Sequence, residues 1–428
     1  MGYLELALAA LVVVLISRLW NVLVYLIWRP FVITKKFREQ GIRGPSYNFW
    51  SGSLEEIKER TTFLYWFGPQ PKICITDPEM VKQVLSNKFG SYSKANPNPN
   101  IFALLGKGLV FVEGSDWVRH RSLINPAFTM DKLKMMTKTM AECTRSMIEG
   151  WQSQAFDHEA QRKEVELSRE FQELVADVIS RIAFGSSYKE GKEVFLAKKA
   201  LQKLAIATWL KVHIPGFKYL PSRRNIEKWK LDKKVSNTLM KITQELLYFR
   251  ESGCGNDLLG LMMEASTTNY GGKQEHQTMS MDEIIDECKT FFFAGHETTS
   301  NLLTWSMFLL STNQEWQERL REEVYRECGK DIPDADILGK LKLMTMFILE
   351  TLRPRACIDQ NFAMLEAKII IAMILQKFSF SLSPGYIHAP IDLLMLQPTY
   401  GLPIILSPLS FGVFEMVSYS ADKHLILY

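Results

Sequence analysis

The sequence predicts a mainly α domain with a small β part, preceded by a transmembrane helix. Three observations carry that reading. An apolar run fills Leu6 to Trp28, broken only by Ser17, Arg18 and Asn21. Helical periodicity then dominates from about Pro78 to Lys377. Short β-type runs flank this stretch at Phe63–Phe67, Lys72–Thr76, Gln376–Leu382 and Leu393–Leu406. The composition is that of a globular chain, 47% hydrophobic and 23% charged, which suffices for a large core. A net charge of +4, without a basic tail, gives no reason to expect nucleic acid as a partner. The six cysteines contain no C-x-x-C pair, which argues against a zinc ribbon or a disulfide scaffold and for a reducing compartment.

The first element is the apolar run. It is long enough to cross about 30 Å of hydrocarbon. Arg18 would cost roughly 2.5–3.5 kcal/mol at the bilayer centre, so tilt or snorkelling is expected. A cleaved signal peptide lacks its basic start and small-residue cleavage site. Myristoylation fails because position 6 is Leu6. A buried core helix is the remaining alternative. Arg29, Lys35, Lys36, Arg38 and Arg43 follow the run, and the positive-inside rule puts the main body on the cytosolic side of a single-pass anchor. Gly41-Ile42-Arg43-Gly44-Pro45 suits a linker, so residues 1–28 form the anchor and 29–45 a basic hinge.

Gly68-Pro69-Gln70-Pro71 separates the first two strands as in a hairpin. Ser280-Met281-Asp282-Glu283 is a capping box, opening a run to about Leu310 whose only glycine is Gly295. Thirty helical residues span roughly 45 Å, the width of a domain. Further helices are expected over Glu315–Glu327, Lys340–Arg353 and Asp359–Lys377. Pro354 stops the second of these, and the third is apolar on most of its circumference.

Four constellations carry candidate chemistry. Ala294-Gly295-His296-Glu297-Thr298-Thr299 sits mid-helix. Gly295 costs about 1 kcal/mol against alanine there, and it lets something flat or bulky approach the backbone. Glu297 and Thr298 could pass protons to whatever binds. The plainer reading is a packing notch beside a solvated glutamate. His296-Glu297 does not begin a zinc-protease motif, because Ser300 stands where the second histidine must be. Glu350 and Arg353 share a helix face and can pair, as many surface ion pairs do. Cys357, next to Arg355 and just before a helix, has a thiolate favoured by both. It could serve as the axial ligand of haem iron, or it could be a small buried hydrophobe. Trp117 and Arg121, four apart, could hold carboxylates, or belong to an ordinary basic amphipathic helix.

Taken in chain order, W-x-x-x-R, A-G-x-E-T-T, E-x-x-R and P-R-x-C resemble the cytochrome P-450 family, from about Trp28 to Leu406. Trp28-Arg29-Pro30, Gly114-Ser115-Asp116-Trp117, Asn125-Pro126-Ala127-Phe128 and Gln360-Asn361-Phe362-Ala363 are similar to the plant membrane-bound clan that oxidises hormones, terpenoids and fatty acids. The resemblance implies the family's fold and its haem b, with Cys357 on the iron. It implies Trp117, Arg121 and Arg355 on the propionates, Gly295 opening the oxygen pocket, and proton delivery by Glu297 and Thr298. Glu350 and Arg353 would brace the fold. It further implies a lipophilic substrate, electrons from an NADPH-dependent cytochrome P-450 reductase, and the endoplasmic reticulum membrane.

The sequence also departs from that pattern. Glu350 and Cys357 are only seven residues apart, where the family has several tens between them, so Arg353 is joined almost directly to Pro354-Arg355-Ala356-Cys357. A second gap lies near residues 58–62. Asp359 replaces a glycine expected two residues after the cysteine, and could cap the next helix. The catalytic domain is therefore expected over 46–409, with an atypical tail over 410–428. The alternative is a haem-free, non-catalytic product of the same descent.

Overall fold

The computed structural model describes residues 2–45, 47, 62–67, 70–85, 92, 94, 99–153, 162–184, 196–204, 220–249, 259–260, 279–351, 360–392 and 395–409. Chain contacts divide it into two compact units, Met1–Thr129 with Ala176–Glu297, and Met130–Val175 with Thr298–Tyr428.

The first unit opens with α1 (Gly2–Leu23), a π-helical turn (Val24–Trp28) and α2 (Arg29–Glu39). Residues Glu5–Glu39 are long and apolar enough to cross a membrane, and their most apolar window is wholly unburied. Helix continues through the basic stretch, so irregular chain begins only at Gln40. The π turn has a local cause. Pro30 has no N–H and its ring crowds the carbonyl four residues back, that of Leu26. The helix widens, and the Arg29 N–H bonds to the Val24 carbonyl. The Leu26 carbonyl accepts instead from the Tyr47 hydroxyl at 2.9 Å. The Tyr47 ring stands edge-on to Trp66, centroids 5.1 Å apart. Trp66 lies on β1 (Thr62–Phe67), which pairs antiparallel with β2 (Gln70–Ile75), the expected hairpin.

The rest of this unit is helical. It contains α3 (Pro78–Leu85), α4 (Pro99–Leu105), α5 (Gly114–Ile124) and a 3-10 turn (Asn125–Phe128). A helical segment over residues 196–204 and α8 (Arg223–Phe249) follow. The predicted long helix is α9 (Met281–Thr312). Its capping box forms as read. The Ser280 N–H bonds to Glu283 Oε2 at 2.7 Å, and the Glu283 N–H to Ser280 Oγ at 3.3 Å. α7 (Leu167–Phe184) and α9 each begin in one unit and end in the other.

The second unit is built round α13 (Gln360–Leu375), whose residues Phe362 and Leu365–Leu375 are all buried, as its apolar circumference requires. It packs on α6 (Met130–Ser153), which turns Leu133, Met136, Met140 and Trp151 inward. α10 (Gln314–Cys328), α11 (Ala335–Lys340) and α12 (Lys342–Thr351) complete the layer. The expected helix over Lys340–Arg353 is α12, described from Lys342 to Thr351, and a break at Leu341 parts it from the short, unanticipated α11. Glu323 of α10 explains the break. Its buried carboxylate accepts the N–H groups of Leu343 at 2.8 Å and Met344 at 2.9 Å, satisfying donors that every helix start leaves open.

A three-stranded sheet runs β3 (Lys163–Glu166), β7 (Pro403–Pro408), β4 (Phe378–Leu382). β5 (Pro390–Asp392) and β6 (Leu396–Pro398) form a hairpin. β3 lies within the stretch over which helical periodicity dominates. Four residues carry little periodicity, and its partner β7 is over two hundred positions away. Gln317 of α10 bonds to both the N–H and the carbonyl of Phe380, at 3.1 and 2.9 Å, as a neighbouring strand would.

Removing the Glu323 carboxylate should leave two N–H groups and the start of α12 without partners. Glu323→Ala is expected to cost about 2–3 kcal/mol in denaturant unfolding. An unchanged midpoint would refute this role.

Candidate active site

The middle of α9 has two characters. Phe292, Phe293, Gly295, His296, Glu297, Thr299 and Ser300 are buried. Phe291 and Ala294 are half-buried and Thr298 is exposed. These last three lie at i, i+3 and i+7, one side of a helix. Small and hydroxyl-bearing residues thus leave one accessible stripe along an otherwise enclosed rod.

Glu297 and Thr298 are neighbours in sequence and stand on different faces. The Glu297 carboxylate lies 3.4 Å from His296 Nδ1. Burial disfavours its charge, but the hydrogen bond and charge of His296 and the help of Gln202 and Lys199 outweigh burial. Its pKa is held below the ordinary carboxylate value. Gln202 and Lys199 belong to the helical segment 196–204. From the same segment, buried Lys198 donates to the Lys289 carbonyl at 2.5 Å and lies 5.4 Å from the Phe292 ring centroid. Burial, and then the charge of Lys289, push its pKa well down. Gly295 faces Ile179 of α7, where an added methyl would come within 2.9 Å of Cδ1. The close approach seen at this glycine is helix against helix, the packing notch of the plainer reading.

α5 brings together the predicted aromatic–basic pair. The Arg121 guanidinium lies 6.0 Å from the Trp117 ring centroid, and Trp117 is 39% exposed. The intervening Arg119 and His120 face α9. Arg119 grips both oxygens of Glu283, at 2.5 and 3.3 Å. His120 Nδ1 meets Glu287 Oε1 at 2.6 Å, with both side chains buried. The hydrogen bond to Glu287 raises the His120 pKa against the opposing effect of burial. The sequence reading missed Arg119, His120, Lys198 and Gln202 as functional neighbours. A signal for the first two was available. Glu283 and Glu287 sit at i, i+4 on α9, spaced to meet adjacent bases on a crossing helix. Nothing in the sequence singled out Lys198 or Gln202.

Glu350 is exposed in the last turn of α12. Its expected partner Arg353, and Arg355 and Cys357, lie outside the described residues, as do the junction at 353–354, the second gap and the tail.

The described residues fit a flat, carboxylate-bearing cofactor such as haem. The Phe291–Ala294–Thr298 stripe leaves one side of α9 accessible, and the Trp117–Arg121 pair offers a cationic and aromatic surface of the kind that carboxylates favour.

Comparison with known proteins shows the family. The sequence profile of the family described as Cytochrome P450 matches residues 52–353. The match ends at the junction noted in the sequence. Cytochrome P450 709B1 of Arabidopsis thaliana is 39% identical over 94% of this chain and 98% of its own length. Cytochrome P450 CYP72A616 of Paris polyphylla is 36% identical over 89% and 94%. Cytochrome P450 734A6 of Oryza sativa subsp. japonica is 32% identical over 91% and 94%. The first alignment runs over 516 positions against a chain of 428, so that relative carries tens of residues without a counterpart here.

The Arg119–Glu283 contact sets a pH dependence. The hydrogen bond from Arg119 brings the Glu283 pKa down to about 2 from an ordinary 4.5. A lowered folded value stabilises above the unfolded pKa and is lost as pH falls toward the folded one. The stability difference between wild type and Glu283→Gln should be full at neutral pH and narrow as pH falls from 4.5 toward 2. Urea unfolding at several pH values measures it, and a difference constant with pH contradicts the assignment.

Proposed function

The chain belongs to the cytochrome P450 family, and from that premise we propose a membrane-anchored haem-thiolate monooxygenase that inserts one oxygen atom of dioxygen into a lipophilic small molecule. Electrons would come from NADPH through a separate cytochrome P-450 reductase. The observation that carries this reading is a buried Glu297 lying 3.4 Å from His296 Nδ1, next in sequence to an exposed Thr298 on α9.

The cofactor assigned is haem b. Cys357 would supply the axial thiolate, and Trp117, Arg121 and Arg355 would hold the propionates. When bound, the haem supplies the iron at which dioxygen is activated and oxygen transferred. The chain's own part is positioning and the metering of protons. Thr298 lies on the exposed side of α9, and its hydroxyl would relay protons there. Glu297, whose charged form is favoured by its His296, Gln202 and Lys199 surroundings, would first accept a proton from the buried side and then pass that proton on toward Thr298. Gly295 fixes how closely α9 lies to Ile179, and so where Ala294 and Thr298 stand. Phe291 and Ala294 make the stripe apolar beside the hydroxyl, which suits a lipophilic substrate.

The apolar, unburied N-terminal helix supports a single-pass anchor at the endoplasmic reticulum membrane. The basic residues Arg29, Lys35, Lys36, Arg38 and Arg43 favour a cytosolic catalytic domain over residues 46–409.

The junction after Arg353, where the family profile stops matching, favours one second reading: a haem-free member of the family without activity. A single experiment separates the two. The full chain is expressed in membranes, reduced and exposed to carbon monoxide. The proposed function predicts the red-shifted Soret band of a thiolate-ligated haem. Cys357→Ala should abolish it. Thr298→Ala should keep the band but lower product formed per NADPH consumed by about tenfold or more. Absence of the band from wild type would overturn the monooxygenase reading in favour of the second.

A further inference from the structure

α5 uses two faces for two purposes. Trp117 and Arg121 share the open one. Arg119 and His120 lie roughly 130° round the helix, at 100° per residue, and are engaged with α9. His120 reaches two carboxylates, Glu287 Oε1 through Nδ1 at 2.6 Å and Glu283 Oε1 through Nε2 at 3.4 Å. Arg119 Nη2 stands 3.3 Å from the same imidazole.

Glu287 is fully enclosed. Among the described residues its Oε2 has no hydrogen-bond partner. A methyl group at Gly108 would come within 2.6 Å of that oxygen and 2.5 Å of Thr290 Oγ1. Thr290 Oγ1 in turn donates to the Leu105 carbonyl at 2.6 Å. Gly106 holds a left-handed φ of +71°, and a side chain there would strike the backbone of Asp286. The loop after α4, the body of α5 and one turn of α9 thus meet around a carboxylate with a single partner.

Stability does not account for such a group. A buried ion pair can often be replaced by apolar side chains at no loss, whereas removing one partner leaves a costly lone charge. What the pair offers that an apolar contact does not is a short, directional link with one allowed geometry. Rotation of α5 is the quantity it fixes. A turn of about 20° moves a side-chain tip, about 5–6 Å from the helix axis, by about 2 Å. That exceeds the tolerance of a hydrogen bond.

We propose that His120 and Glu287 are positioning residues: their buried contact sets the rotation of α5 on α9, so that Trp117 and Arg121 meet the propionates of the haem. The inference rests on the haem reading above. It assigns His120 and Glu287 no contact with the cofactor.

The test uses the full chain, titrated with hemin, in wild type, His120→Leu/Glu287→Leu and His120→Asn. Hemin affinity comes from the Soret band, propionate contacts from the propionate bending band in resonance Raman spectra, and stability from thermal unfolding without hemin. The double variant is expected to unfold close to the wild-type temperature, to bind hemin about tenfold more weakly, and to show a shifted propionate band. His120→Asn places an amide N–H near the position of Nδ1. It should recover affinity to within about threefold and restore the band. Should the apolar pair not fold, His120→Phe/Glu287→Gln keeps both shapes, removes the contact and reads the same quantities. A contact-free variant that binds hemin as wild type does, with an unshifted propionate band, overturns the proposal. So does an asparagine variant no better than the contact-free one. Wild type failing to take up hemin identifies a failure of the haem reading itself, and the positioning role falls with it.

Discussion

Charged groups buried or half-buried along the first half of α9 must be paired, and the arrangement of the first unit follows from how they are. Glu283 takes Arg119, Glu287 takes His120, and Lys289 takes Asp232 of α8 at 3.1 Å. Thr290 holds the end of α4 through the Leu105 carbonyl, and Lys198 holds the Lys289 carbonyl. A buried polar group without a partner costs about 1–3 kcal/mol, and a charge more. Each partner helix is therefore committed to one position along α9. That same helix then carries Glu297 and Thr298 two to three turns further on. Glu297 and the Trp117–Arg121 pair of α5 are thus both referred to the part of α9 within the first unit.

The second unit solves a different problem. Its centre, α13, is apolar on most of its circumference, and its buried Lys368 donates to the Leu338 carbonyl at 2.8 Å. Further direction comes from three polar side chains of α10. Gln317 mimics a strand against Phe380, buried Arg321 donates to the carbonyls of Leu375 and Phe378, and Glu323 starts α12. Substitution of any of them by an apolar residue keeps the hydrophobic content but loses the register of β4 or the start of α12.

Local signals were readable from sequence and non-local ones were not. The capping box at Ser280 and Glu283, the length of α9 and the β1–β2 hairpin depend on residues close in the chain. They stand where pattern and turn chemistry put them. The break at Leu341 depends on Glu323, eighteen residues away, and β3 depends on β7. The site divides the same way. Trp117 with Arg121, and Glu297 beside Thr298, were visible as spacings. The partners that fix them, His120 on Glu287 and Gln202 near Glu297, are long-range contacts that leave no periodic trace. Gly295 shows the limit of a single-residue argument, since its space is taken by Ile179.

The contacts of Arg119 and His120 should make α5 and the first half of α9 one mechanical unit. Native-state hydrogen exchange tests it directly. The amides of Arg119–Ile124 and Glu283–Phe293 should exchange only through the same opening, with equal free energies and equal dependence on denaturant. Exchange of α5 through a separate, lower-energy opening, while α9 stays protected, would contradict the account.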